Sequence, residues 1–332
     1  METKDMPYMN RRKALQCAAS GAASLIYPPI ASAAEDWPVK PLRIIVSVPP
    51  GGPADAVCRL VAQQMETRLK QPVVVDNRPG AVGLVALQAA AASPADGHTL
   101  VHVHPGVISG QLLMKRFDMI SGLSPLSIAG DFQLTLVASG AGGIASMNDF
   151  KAAAARQGGG LAYGTLGVGS FEHLLIESLS KTMGIRALHV PYKGGAEMVQ
   201  ALLSGQIDFA YLITQLAEPY LAKGQMRALA VLSEERNKLL TNVPTFSEIG
   251  IPVKPMGYWM GLCATSGIPD QIADRLHSVI VDSIKAPAVK SYFEQGGSIP
   301  RYSDSRASFR KQMIEDQNFL QGIISANNIK IA

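Results

Sequence analysis

The sequence predicts an α/β protein built as two hinged lobes, and three observations carry this prediction. Short β-branched strands alternate with amphipathic helices, which is the pattern of mostly parallel sheets flanked by helices. The chain has 332 residues, 47% of them hydrophobic, which favours two cores over one. Two glycine-rich loops, one in each predicted lobe, each join a strand to a helix.

Residues 1–33 differ in composition from the rest of the chain. Arg11, Arg12 and Lys13 precede a mildly apolar stretch that ends in Ala31-Ser32-Ala33. This order is typical of a secretory signal peptide with an A-x-A cleavage site, and the apolar part is too short and interrupted for a spanning helix. We therefore expect residues 1–33 to be removed on export, with the Sec and twin-arginine routes both open.

The first lobe is predicted from strands at 42–48, 73–75 and 99–103, each followed by a helical stretch. A second α/β series has strands at 161–163, 188–190, 207–211 and 227–232, with helices that open near Ser170, Gly195 and Gln215. A strand at 258–264 and helices at 269–285 and 304–325 complete the chain.

A chain that builds a second lobe and returns to the first needs two crossings, which we expect near 134–138 and 255–258. The predicted first lobe is therefore 34–137 with 257–332, and the second is 138–256. Two lobes joined by two crossover strands form a clamshell that closes on a small ligand.

The first glycine loop is a candidate cradle for a carboxylate or phosphate. It follows the strand at 42–48 and opens a helix with an apolar stripe. The first turn of a helix has amides without intrahelical partners and partial positive charge, so it binds anions without Arg or Lys. We expect Asp55 to cap or orient this helix. The candidate ligand-binding residues here are Pro50, Gly51, Gly52, Ala54 and Asp55.

The second glycine loop repeats this arrangement before the helix that opens at Ser170. Its candidate ligand-binding residues are Thr165, Gly167, Gly169 and Ser170. If each loop donates amides to one anion, only the closed clamshell makes both sets of bonds. Tyr192 and His104 are expected to tune the choice of ligand.

Other polar residues favour structural roles over catalysis or metal binding. His98, His102 and His104 share one face of a strand, but the spacing indicates no further zinc ligand, so we predict no metal and no cofactor. Ser170 and His173 are not part of a G-x-S-x-G motif, which marks the nucleophilic serine of α/β-hydrolases, so the sequence does not favour an esterase-like activity. Cys58 and Cys263 are expected to be buried thiols, with a single disulfide left open. Beyond the leader the chain has no basic run, so nucleic acid is not an expected partner.

Several motifs occur together in one order along the chain: Pro49-Pro50-Gly51-Gly52-x-x-Asp55, Asn77-Arg78-Pro79-Gly80, Asp96-Gly97-x-Thr99-Leu100, Gly169-Ser170-x-x-His173-Leu174 and His189-Val190-Pro191-Tyr192-Lys193-Gly194. In this order they resemble the tripartite tricarboxylate transporter receptors, also called Bug receptors. The resemblance covers nearly all of the mature chain.

The resemblance implies a two-lobed clamshell of the type II periplasmic-binding-protein kind, located in the periplasm and monomeric. It also implies a small carboxylated ligand, held by the loops at 50–55 and 165–170, and delivery of that ligand to a membrane permease. Two alternatives stay open: a ligand-dependent partner of a membrane sensor without a transporter, and a periplasmic enzyme acting on a carboxylate. The chain departs from the family pattern at Val82, at His102-Val103-His104 and at Ala210-Tyr211-Leu212, which bears on ligand choice.

Overall fold

The computed structural model describes residues 37–156 and 160–329. The leader expected at 1–33 lies outside the described residues. Within these two ranges, every helix is too short or too polar to cross a lipid bilayer.

The first sheet has five strands in the order β2-β1-β3-β10-β4. Strand β10 runs antiparallel to both of its neighbours, and β1 is parallel to β2 and β3, so four strands of the sheet share one direction. The strands are β1 (Leu42–Val46), β2 (Val73–Asn77), β3 (Thr99–Val103), β4 (Leu123–Phe132) and β10 (Tyr258–Thr265).

The second sheet repeats this topology in the order β7-β6-β8-β5-β9. Here β5 is the strand that runs antiparallel to its neighbours, and β6 is parallel to β7 and β8. The strands are β5 (Leu134–Ser139), β6 (Leu161–Thr165), β7 (Ala187–Pro191), β8 (Phe209–Ile213) and β9 (Met226–Val231). The predicted fold class, two lobes of mostly parallel sheets, is confirmed.

Helices flank both sheets. In the first part of the chain they are α1 (Pro53–Leu69), α2 (Leu84–Ala91), α3 (Pro105–Met114), α4 (Met119–Gly122) and α5 (Met147–Ala155). They continue as α6 (Phe171–Met183), α7 (Gly195–Leu203), α8 (Thr214–Ala222), α9 (Asp270–Ile284), α10 (Pro287–Gln295) and α11 (Arg306–Asn327). Short 3₁₀ turns form at Ala81–Gly83 and Gly140–Gly142.

The chain changes sheet at Gln133, between β4 and β5, and returns through residues 232–257 before β10. The sequence predicts the first crossing at 134–138. In the structure this segment is the buried strand β5, which pairs with β8 on one side and with β9 on the other, so it belongs to the second sheet. Tyr258 pairs with Phe132 across β10 and β4. The end of one crossing therefore lies beside the start of the other, as a hinge requires.

Helix α6 joins the second lobe to the first. It follows β6 of the second sheet, yet it packs against α3 and α11 of the first lobe. The Ser109 hydroxyl of α3 donates to the Gly169 carbonyl at 2.7 Å, which ties the loop before α6 to the first lobe.

Candidate functional site

A cavity of about 220 Å³ lies between the two lobes. The loop at 48–54 lines it from the first lobe, and residues 193–196 line it from the second. A second cavity of about 620 Å³ shares part of this lining and reaches the turn at 79–83. The lobes therefore meet around a concave site of the kind that holds small molecules.

The first-lobe loop presents the start of α1 to the cavity. Gly52 is the N-cap residue and no side chain caps the helix. The amides of Gly52 and Ala54 have no acceptor within the described part of the chain. Gly51 has a φ of +89°, which favours glycine and bends the chain into the helix. These amides are free to bind an anion.

Asp55 holds this loop in place from behind. Its carboxylate accepts the Gly51 amide at 3.0 Å, Arg59 at 3.0 Å and the Asn77 side-chain amide at 2.8 Å. Burial acts to raise the pKa of Asp55, but the hydrogen bonds from Arg59, Gly51 and Asn77 hold it below its ordinary value. Asp55 is 3% exposed and its bonds are internal, so it positions the loop.

The second lobe contributes the start of α7. Gly194 is the N-cap residue in an extended conformation, and no side chain caps the helix. The amides of Gly195 and Ala196 have no acceptor among residues 37–156 and 160–329. The exposed Lys193 lines the cavity beside them, with its own amide bound to Glu197 at 3.0 Å. Two uncapped helix N-termini, one from each lobe, thus line the same cavity.

Three amides of the loop at 165–170 are bonded within the loop and the first turn of α6. The Gly167 amide donates to the Thr165 hydroxyl at 3.1 Å, the Gly169 amide to His173 Nδ1 at 3.2 Å, and the Ser170 amide to the Gly167 carbonyl at 3.1 Å. Of its four predicted ligand-binding residues, Ser170 lines a cavity, the larger one.

Residues 193–196 are not among the ligand-binding residues predicted from the sequence. Their signal is present in the sequence, where Gly194-Gly195 follows a strand and opens a helix. On the second-lobe side of the cavity, the described lining residues with unbonded amides include Gly195 and Ala196, whereas the amides of Gly167, Gly169 and Ser170 have internal acceptors.

Two buried histidines lie on the cavity wall. His104 caps α3, and its Nδ1 accepts from the Gly106 amide at 3.2 Å and from the Tyr258 hydroxyl at 3.0 Å. His102 Nδ1 bonds the Ser47 hydroxyl at 3.0 Å. Burial lowers the pKa of His102 to about 4 and that of His104 well below its ordinary value. Both imidazoles are therefore neutral near pH 7.

Glu172 lies in the first turn of α6 and lines both cavities. It is 4% exposed, and burial raises its pKa to about 7 although hydrogen bonds from its own amide and from Ser170 oppose the shift. An acid in the first turn of a helix is stabilised by the dipole. With a pKa of about 7, Glu172 is partly protonated near neutral pH.

The remaining predicted residues are placed as follows. Pro50, Gly51, Gly52, Ala54 and His104 line the smaller cavity, and Tyr192 lines the larger one. Ser170 caps α6 by accepting the His173 amide at 3.3 Å. Within the described ranges, no three His, Cys, Asp or Glu side chains could hold a metal ion together. Cys58 and Cys263 are buried and unbonded to each other.

The chain is similar to known proteins in both sequence and structure. The family model described as "Tripartite tricarboxylate transporter family receptor" matches residues 57–329. Protein BugT of Bordetella pertussis is 32% identical over 80% of this chain and 83% of its own length. A solved "periplasmic transporter" is 29% identical, with a TM-score of 0.82 over 89% of this chain and 99% of its own. A protein of R. palustris solved with adipate is 26% identical, with a TM-score of 0.82 and the same coverage.

Proposed function

The chain belongs to the tripartite tricarboxylate transporter receptor family, and from this premise we propose that it is a periplasmic solute-binding receptor for a small carboxylated molecule. The observation that carries the proposal is the pair of uncapped helix N-termini, at Gly52 and Gly195, which line one cavity from opposite lobes. The adipate-bound relative supports a carboxylate as the ligand class.

The proposed mechanism is closure of the lobes on the anion. Free amides at the start of α1 bind the carboxylate from the first lobe, and those at the start of α7 bind it from the second. Hydrogen bonds to a charged group contribute about 1.5–3 kcal/mol each. Because only the closed form makes both sets, the ligand shifts the population toward closure by its differential affinity.

Ser170 and His173, the serine and histidine considered for catalysis, both make hydrogen bonds that stabilise the fold. The Ser170 hydroxyl caps α6, and His173 Nδ1 accepts the Gly169 amide. The hydrogen bonds of Ser170 and His173 are therefore explained by the fold, with no need for a nucleophile and base at these two positions. We therefore propose binding without turnover, and delivery of the ligand to a membrane permease.

A thermal-shift screen with mono-, di- and tricarboxylates tests the receptor function. A ligand that binds only the native state adds about 2.7 kcal/mol to the free energy of unfolding at one hundred times its Kd, and the melting temperature rises as a result. We expect at least one acid to raise it and to be recovered unchanged after incubation. Chemical conversion of the bound acid would overturn the proposal, and so would the absence of any shift across the panel.

A further inference from the structure

The two lobes touch at the loops that line the cavities. A Cβ atom on Gly194, in the second lobe, would lie 3.8 Å from Pro49 Cγ in the first, which is ordinary van der Waals contact. Both residues line both cavities. The loops that lead into α1 and α7 therefore meet across the cleft, and this is the closed arrangement that the proposed function requires.

A second contact between the lobes lies outside both cavity linings. It joins α8, which packs against α7 and the second sheet, to the residue after α10, which packs against α1 and α9. A Cβ atom on Gly296 would lie 2.6 Å from Gln215 Cδ and 2.8 Å from Gln215 Oε1, closer than packed atoms approach. The Gln215 amide group therefore occupies a space, here called the Gly296 seat, that exists because residue 296 has no side chain.

The backbone at Gly296 does not itself require glycine. Its φ is −85°, in a region that residues with a side chain adopt. Gly297, the next residue, has a φ of +64°, which favours glycine. The absence of a side chain at 296 is thus explained by the seat for Gln215, and alanine there changes the packing without straining the backbone.

The first turn of α8 connects the Gly296 seat to the ligand site. The Thr214 amide donates to the Gln133 carbonyl at 2.9 Å, which anchors α8 where the chain changes sheet. Leu216 lines the smaller cavity and lies against Gly195, where an added Cβ would be 2.9 Å from Leu216 Cδ1. A shift of Gln215 is therefore transmitted through Leu216 to the start of α7, and a small rotation near a crossing is larger at the cleft.

We propose that Gln215 is a positioning residue and that its contact with Gly296 is the closure stop of the receptor: the loops before α1 and α7 meet only when Gln215 occupies the Gly296 seat. The inference rests on the proposed function, because it says how the same site closes. Gln215 Oε1 has no partner in the described structure, and this offsets part of the packing gain, so the contact opens reversibly.

Disulfide trapping measures closure without a ligand. Pro49→Cys together with Gly194→Cys places two thiols where the loops touch, whereas Cys58 and Cys263 are buried. Oxidised glutathione is the oxidant, and peptide mass spectrometry after alkylation follows the bridge between positions 49 and 194. We expect the bridge to form in the otherwise native chain. Its absence would overturn the inference, because the loops would then not meet in solution.

Gly296→Ala, added to this pair of cysteines, fills the seat with a methyl group. Since the methyl group displaces the Gln215 amide, the bridge should form at least about fivefold more slowly. Gln215→Ala vacates the space opposite the methyl group, so the two alanine substitutions together should restore the rate to within about twofold of Gln215→Ala alone. This rescue separates a closure stop from a general loss of stability, which a second truncation does not repair. An unchanged or faster rate in Gly296→Ala, or no rescue, overturns the inference.

Gly322→Ala on α11 is the matched control, because a Cβ atom there meets no described atom within 4 Å. It should leave the rate unchanged, and equal slowing by this control would overturn the role of the seat. If Gly296→Ala does not fold, Gln215→Phe crowds the same seat from the second lobe and should slow the bridge to a similar extent; an unchanged rate overturns the inference. No acid is present in these measurements, so their failure leaves the receptor function standing, and the carboxylate panel tests that function separately.

Discussion

The Asp55 carboxylate accepts the Gly51 amide at 3.0 Å and so fixes the loop that presents the start of α1 to the cleft. Asp55→Ala leaves this amide, Arg59 and the Asn77 side chain without their common acceptor. We expect a loss of about 1–2 kcal/mol in the free energy of unfolding, measured by urea denaturation, because hydrogen bonds to a buried carboxylate are lost while solvent still reaches the donors Gly51 and Arg59. Binding of the acid found in the screen should weaken as well.

Asp149→Ala is the matched control for this variant. Asp149 also lies in the first turn of a helix, α5, but it is exposed and outside the cavity linings. Its loss should cost at most about 1 kcal/mol and leave affinity unchanged. Equal effects of the two substitutions would contradict a special role for Asp55 in shaping the site.

The amide of Gly195 tests whether the second lobe grips the ligand with its main chain. Gly195→Pro removes this amide at the first position of α7, where proline is tolerated and where the extended Gly194 suits a following proline. An added Cβ meets Leu216 Cδ1 at 2.9 Å, so Gly195→Ala reproduces the crowding and keeps the amide. Calorimetry should show the proline variant binding at least about tenfold more weakly than the alanine variant. Equal affinities of the proline and alanine variants would show that the Gly195 amide does not bind the ligand.

Among the described residues that line the two cavities, Lys193 is the one lysine or arginine, and it is exposed. Lys193→Gln should weaken binding of a carboxylate roughly fivefold at low ionic strength, with a smaller difference in high salt, because the side chain is exposed and screened. Lys151→Gln on the exposed face of α5 removes a like charge elsewhere and should bind as the native protein does. A salt-independent loss would indicate a structural defect at Lys193.

The fold was predictable because its strands and helices carry regular patterns, and the mistakes occur where the pattern breaks. The sequence does not indicate strand β4, because Ser124, Pro125 and Gly130 interrupt its apolar run. Apart from the half-buried Ser124, the strand is buried, paired with β10 and packed against helices. The first crossing was placed inside β5, since a sequence does not show which sheet a strand joins.

The sequence indicates only the first-lobe part of the candidate cavity lining. A glycine loop before a helix is visible in sequence, and the loop at 50–54 lines the cavity. The equivalent pattern at 165–170 does not reveal that Thr165, Gly167 and His173 satisfy its amides, because these bonds depend on side-chain geometry. The cavity-lining position of Tyr211 likewise depends on how the lobes meet.

Glu172 should make the stability of the protein depend on pH. Its folded pKa of about 7 lies above the ordinary value of 4.5, so the folded state holds a proton that the unfolded state has released between these values. Stability therefore falls as pH rises from about 4.5 to 7 and then levels off, by on the order of 2–3 kcal/mol from this group. Urea denaturation at several pH values should show this slope in the native protein and a flatter profile in Glu172→Gln. Glu315→Gln, an exposed acid on α11, should keep the native slope, and an unchanged slope in Glu172→Gln would place the titrating group elsewhere.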